Sequence, residues 1–285
     1  WNGEWINWYQ DGSKKEFGNY VDGDKTGAWK GWYENGQKKY VMHYQNSLKH
    51  GIYTEWSEEG RLTKDITYDY DIPISEYLVD YFGSGYTEIN RRNGELSGSW
   101  IKWYSNGKKN EEGIYKNGEK GGSWNGWYEN GQKKFETTLK DGKKDGLETA
   151  WYENGQKQIE AKSKEGEPHG PALQWHENGQ KLSKGTFKNG KPDGLLVNWY
   201  DNGQKRNQVN FKNGDPDGLS VGWYKNGERE FIETYKDGKP DGLSVGWHKN
   251  GQKKWEVKFI DGDKISANYW NSKGEPFDSL EEALK

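Results

Sequence analysis

The side chains of this chain that are capable of chemistry recur at fixed intervals. Asp-Gly-x-x-Asp-Gly turns come back repeatedly, with Asp141 and Asp145 in one and Asp237 and Asp241 in another. Paired carboxylates in a turn suggest calcium, yet two per turn fall well short of the roughly six to eight oxygens the ion takes. The histidines are His43, His50, His169, His176 and His248. His176 and His248 stand where a repeated Trp-Tyr pair has its Tyr, and His169 stands at a turn Asp, so structural roles are expected for them. His43 and His50 share a turn region without a carboxylate pair at ligand spacing, so no metal site is expected there. No Gly-x-Ser-x-Gly, P-loop or dinucleotide fingerprint occurs. Cysteine is absent, which removes disulfides, thiolate ligands and a Cys nucleophile. A glycosidase-like pair of carboxylates needs a concave, desolvated site that a flat periodic sheet does not offer. The expectation is a protein without catalytic residues, metal or cofactor.

What remains as candidate chemistry is aromatic. Seventeen Trp, 19 Tyr and 8 Phe stand against only 30% hydrophobic residues overall. They are not scattered. Trp8, Trp32 and Trp56 lie 24 residues apart, as do Trp103, Trp127, Trp151, Trp175, Trp199, Trp223 and Trp247, with Trp270 after 23. Each opens a Trp-Tyr-x-Asn-Gly-Gln-Lys phrase or a variant of it. About twelve copies of a unit too short to fold alone indicate an array whose units bury surface against their neighbours. Rings with large buried areas replace an aliphatic core in such a chain.

Glycine and asparagine punctuate each unit, and no helix fits between the turns. Residues 187–211 carry two signals, Asn189-Gly190-Lys191-Pro192-Asp193-Gly194 and Asp201-Asn202-Gly203. The second is read as a two-residue type I′ hairpin turn, the first as a longer connection. On that register Tyr200 faces Lys205, Trp199 faces Arg206 and Leu196 faces Val209. Similar arithmetic sets Gly31 against Tyr40, Gly126 against Phe135, Ala150 against Ile159, Gly222 against Phe231 and Gly246 against Trp255. A ring over a cross-strand glycine covers exposed backbone. Opposite the repeat Trp the same register places long charged residues, Lys39, Lys134, Arg206, Glu230 and Lys254, whose stems can lie on the indole.

The units are not equivalent. Trp5, Trp29, Trp100 and Trp124 precede their repeat Trp by three, where later units carry Glu148, Ala172, Leu196, Ser220 and Ser244. This aromatic excess, taken with Tyr33, Tyr104 and Tyr128, makes Trp5, Trp29, Tyr33, Trp100, Tyr104, Trp124 and Tyr128 the candidate binding residues. The other reading is that the rings only compensate for glycines such as Gly31 and Gly126. Residues 65–93 lose the Trp, the Asn-Gly turn and the Asp-Gly turn, as a decayed repeat or an inserted contact site. At the end, Asp278 or Ser279 can cap a short helix carrying Phe277, Leu280 and Leu284 on one side.

Phe187-Lys-Asn-Gly-Lys-Pro-Asp-Gly, Phe211-Lys-Asn-Gly-Asp-Pro-Asp-Gly and Tyr235-Lys-Asp-Gly-Lys-Pro-Asp-Gly resemble the core of MORN repeats. The Trp-Tyr-x-Asn-Gly-Gln-Lys half is similar to the bacterial MORN-repeat-variant family, whose members are often antitoxin-like. The resemblance covers roughly residues 1–275 and supplies no catalytic residues. It departs from the eukaryotic pattern in the extra Trp-Tyr pair and in Asp193, Asp217 and Asp241, where His is usual. It implies hairpins laid side by side as a scaffold or binding surface. The expected fold is all-β, an elongated repeat array of 24-residue β-hairpins in one long twisted antiparallel sheet with a short C-terminal capping helix. Its parts are repeats over 1–64, a degenerate repeat over 65–94, repeats over 95–275 and a cap over 276–285.

The function expected from this is non-catalytic binding of another protein through an extended aromatic surface, antitoxin- or immunity-like. The alternatives are a carbohydrate- or choline-type binder of the cell surface, kept open by Gly31-Trp32, Gly126-Trp127, Gly222-Trp223 and Gly246-Trp247, and self-association through the N-terminal sheet edge. Net charge is −3 with no block of like charge, so nucleic acid is not expected. No apolar run is long enough for a transmembrane helix. The chain opens at Trp1, read as a trimmed N-terminus, and the compartment is left open between cell surface or secreted on one hand and cytoplasmic on the other.

Overall fold

A computed structural model describes residues 1–83 and 85–277. Among the described residues it is all β, with antiparallel ladders throughout. Two compact units result, Trp1–Gly131 with Leu139–Gly142, and Gln132–Thr138 with Lys143–Lys285. Within the first, Gly3–Trp8, Lys14–Val21, Asp24–Trp32, Lys38–Gln45 and Leu48–Trp56 pair each with the next in a meander. The second unit follows the same plan, for example from Lys205–Lys212 through Asp215–Trp223 to Arg229–Lys236.

The degenerate repeat stays in the sheet. Ile72–Phe82 pairs with Leu62–Asp69 on one side and Gly85–Arg92 on the other. At the C-terminal end Pro276–Phe277 forms a strand on Asp263–Trp270 where the sequence suggests the approach to a helix. The proposed helix itself, with Asp278, Ser279, Leu280 and Leu284, lies outside the described residues.

The two turns of each unit exchange the roles the sequence suggests. Asn189 and Gly190 have φ of 50° and 78°, the pair of positive values a type I′ turn requires, and this is the tight two-residue connection. At the Trp-Tyr-x-Asn-Gly site only the glycine is left-handed, Gly203 at 82°. There the Tyr200 amide donates to the Gln204 carbonyl at 2.8 Å and the Gly203 amide to the Tyr200 carbonyl at 3.0 Å. This is a three-residue loop, a type I turn closed by a left-handed glycine that forms a bulge. The bulge absorbs one residue, so Trp199 faces Lys205 and not Arg206. Upstream of it the expected register holds: Leu196 faces Val209, Gly31 Tyr40, Ala150 Ile159, Gly222 Phe231 and Gly246 Trp255.

Candidate binding surface

The repeated phrase is engaged in joining each unit to the next. Tyr9, Tyr33, Tyr104, Tyr152, Tyr200 and Tyr224 donate their hydroxyls to the Trp carbonyl of the following unit, at 2.7–3.0 Å. His176 and His248 put Nε2 on the same carbonyls, Trp199 and Trp270, so they replace the Tyr in kind. The loop Asn closes its own turn and reaches out as well. Asn202 Oδ1 accepts the Gln204 amide at 3.1 Å while its Nδ2 donates to the Lys225 carbonyl at 2.9 Å. Lys157, Lys181 and Lys205 carry their ammonium groups to within 6.0 Å of the ring centroids of Trp175, Trp199 and Trp223. The turn carboxylates have a similar task, with Asp193 and Asp241 accepting the amides of Asn213 and Asp261 at 3.2 and 3.3 Å. These residues are conserved from unit to unit because each unit needs its neighbour, and they leave little free for a ligand.

The candidate Trp residues form two copies of one cluster. Trp5 faces Gly18 across the ladder, and Trp29 lies over the same glycine from the other side, with the two rings 5.4 Å apart. Trp100 faces Gly113, Trp124 lies over it, and the rings are 5.5 Å apart. Tyr20 and Tyr115 meet Trp29 and Trp124 edge-on, and Lys25 and Lys120 each stand 3.8 Å above the ring centroid. Trp29 and Trp124 are each 1% exposed. Burial therefore removes these two from direct contact with a docked molecule, because the absent Cβ of Gly18 and Gly113 gives each ring its seat. Trp5 and Trp100 remain half-buried. Tyr33 and Tyr104 sit at the loops on the hydrogen-bond ladder, and Tyr128 is half-buried in the equivalent place.

The same face of the first unit carries a second set of rings absent from the sequence expectation. A shallow recess of about 570 Å³ is lined by Tyr40, Tyr44, Tyr53 and Tyr68, with Met42, Ile66 and Leu78 at its floor and Lys49, Lys64 and Glu76 around it. Strand alternation puts them together: Tyr44, Met42 and Tyr40 alternate along one strand, with Met42 opposite Tyr53 on the next. The signal was present as Tyr20, Tyr44 and Tyr68 at 24-residue spacing, outside the Trp phrase.

The electrostatics of the recess favour neutral phenols beside an ionised Glu55. Burial, then the hydrogen bond to Glu55, raises the Tyr53 hydroxyl above its ordinary value, and burial with the bond to Glu16 does the same for Tyr40. Burial also raises Tyr44 and Tyr68. For Glu55 burial acts upward, but the Tyr53 hydroxyl at 2.6 Å and Lys64 at 3.0 Å outweigh it and hold the carboxyl below the usual range. What results is a surface of rings with donor tips and fixed charges, suited to recognition.

The MORN repeat variant profile matches residues 25–46, 96–117, 144–165, 168–189 and 192–213. No curated protein matches the chain. Among solved structures the chain aligns over 98% of its length with 17% of the chain titled "Crystal Structure of TcdB2-TccC3", at 10% identity and a TM-score of 0.25. It aligns over 98% with 16% of the chain titled "Crystal Structure of TcdB2-TccC3-Cdc42", at 11% identity and a TM-score of 0.23. No described helix is long and apolar enough to cross a membrane. The five matched segments fall on the hairpins just described, so the chain carries five repeats of the MORN variant type.

Proposed function

We propose that this repeat scaffold binds another protein, without catalysing a reaction, through the ring-bearing face of its first unit. One observation carries the reading: Tyr40, Tyr44, Tyr53 and Tyr68 line one recess together with Lys49 and Lys64. Tyrosine gives a large apolar ring and a polar tip at low entropy cost, which suits it to anchor positions in interfaces. Trp5 and Trp100, half-buried on the same face, extend the surface. An antitoxin- or immunity-like role is the finer form of the same reading, with one protein held by many modest contacts. The choline-type alternative is less well supported, because a lysine already occupies the space over the repeat Trp rings that a quaternary ammonium would take.

The test is a photo-crosslinking residue placed at Tyr68 on this face or at exposed Ile52 on the opposite one. In extracts of the native source, a protein adduct from position 68, reduced by Tyr44→Ser and absent from position 52, supports the reading. Equal adducts from both positions, or an adduct indifferent to Tyr44→Ser, refute it.

A further inference from the structure

Asn-Gly is the sequence in which backbone attack on the side-chain amide is least hindered, and this chain contains many such bonds. The fold sorts them into kinds. In the Trp-Tyr loops the side chain is held at both ends: Asn35 accepts from the Gln37 amide at 2.9 Å and donates to the Glu58 carbonyl at 3.1 Å. Asn154, Asn178, Asn202 and Asn250 repeat the pattern. In the type I′ turns it is the attacking nitrogen that is held. The amides of Gly118, Gly190 and Gly214 donate to the carbonyls of Leu96, Pro168 and Pro192 at 2.9 Å.

Asn93-Gly94 escapes both restraints. Trp56 to Trp103 spans one residue fewer than two 24-residue units, so the turn after the degenerate repeat is out of step. Its contact with the preceding unit comes from the Asn93 amide, to the Ile74 carbonyl at a long 3.3 Å. Among the described residues the Gly94 amide makes no such bond, and the Asn93 side chain has no hydrogen-bond partner. Both residues are exposed, Gly94 has open space around it, and Arg91 and Arg92 precede them. Neighbouring cations favour the deprotonated amide that must attack.

We propose that Asn93 is a site of spontaneous deamidation, set apart from the other asparagines by the missing residue of the degenerate repeat. The Gly94 nitrogen loses its proton and bonds to Cγ of Asn93. The Cγ–Nδ2 bond breaks and ammonia leaves with a proton, closing a succinimide. Water then adds to either ring carbonyl and opens the ring, leaving aspartate or isoaspartate at position 93. The new carboxylate stands next to Arg92, and the isoaspartate form lengthens the backbone of a two-residue turn. The modification therefore acts where the array is least regular.

The full chain is held at mildly alkaline pH, folded and in denaturant, and conversion at each Asn-Gly is followed by peptide mapping with isoaspartate detection. In denaturant the bonds convert at similar rates. In the folded chain Asn93 keeps nearly its unfolded rate and exceeds Asn35, Asn154, Asn178, Asn202 and Asn250 by about tenfold or more, since those must first open locally. Asn117, Asn189 and Asn213 fall between. Folded-state conversion at Asn93 no faster than at the loop asparagines overturns the proposal.

Discussion

At the centre of the ring-bearing face, the first unit seats Trp29 on Gly18 and Trp124 on Gly113, whereas at the equivalent place the second pairs Ser220 with Val209. The backbone plan is the same: Gly113 and Trp124 lie four whole repeats before Val209 and Ser220. One layer of volume is thus filled in two ways, by nothing plus a large ring or by two modest side chains. Trp in one unit and Ser in the other are then not a functional excess and its absence. Each is half of a pair, and the other half lies on the neighbouring strand.

The largest expected effect breaks that pairing. Trp124→Ser alone empties the seat and should cost about 3–5 kcal/mol, as large-to-small changes of buried aromatics do. Gly113→Val alone would place a Cβ 2.2 Å from Cε2 of Trp124. Overpacking of this kind costs about 1–3 kcal/mol or more. Together the two substitutions recreate Val209 and Ser220, so the double variant should be more stable than the sum of the singles by at least about 1 kcal/mol. Denaturant titration of the four proteins measures the coupling. Additive losses would mean that the two units do not share a packing rule.

Alkali should separate the units next. Among the described residues, at least eight tyrosines of the first unit hold their hydroxyl protons more tightly than usual, against two in the second. Burial is the leading cause throughout, and Tyr77 and Tyr235 are pushed up to about 12. A raised folded-state value means the unfolded chain loses the proton first. The corresponding stability is complete below the ordinary value of 10.0 and declines as pH rises from there toward 12. Hydrogen exchange by peptide across that window should show strands of the first unit opening before those of the second. Simultaneous opening would show that the extra tyrosines do not set local stability.

Much of this was legible from the residues. Period, turn positions and the ring-over-glycine pairs at Gly31, Gly222 and Gly246 follow from alternation and spacing alone. The exchange of turn types was not, because Asn-Gly serves both a two-residue turn and a bulged loop, and only the hydrogen bonds distinguish them. That one-residue bulge is also why the repeat Trp faces Lys205 and not Arg206. The glycine seats of the Trp candidates were not legible for a related reason. Gly18 and Gly113 lie opposite a local bulge near Gly27 and Gly122, so simple counting pointed to Gly31 and Gly126 as the glycines being covered. The Tyr40, Tyr44, Tyr53 and Tyr68 recess needs two adjacent units to be seen at once.

A smaller effect should be equal in the two units. Tyr33→Phe removes the bond to the Trp56 carbonyl and Tyr200→Phe the bond to the Trp223 carbonyl, 2.9 and 3.0 Å long. Each should cost about 0.5–1.5 kcal/mol, the net worth of a hydrogen bond of this type. Matching shifts in the denaturant midpoint would show a common edge ladder under two different face packings. A loss confined to one variant would mean that the ladder too differs between units.

The smallest effect concerns the cations above the buried indoles. Lys25 and Lys120 stand over Trp29 and Trp124, and in the later repeats the equivalent position holds Pro168, Pro192, Pro216 and Pro240. Proline is tolerated there because its carbonyl alone is used: Pro192 and Pro216 accept from Gly214 and Gly238 as Lys120 accepts from Gly142. Lys120→Pro should therefore leave the turn intact and remove only what the ammonium of this partly exposed lysine contributes over the ring, about 0.5–1 kcal/mol. Lys120 also approaches Glu111, at 3.7 Å, with both side chains partly exposed, and a pair of that kind is worth little. Adding salt distinguishes the two contributions, since screening weakens the ion pair more than a contact against a buried ring. In the Gly113→Val, Trp124→Ser background the ring is gone, and Lys120→Pro should then cost almost nothing. If the loss persists there, the lysine is holding something other than Trp124, and the likeness between its site and the prolines of the second unit ends at the backbone.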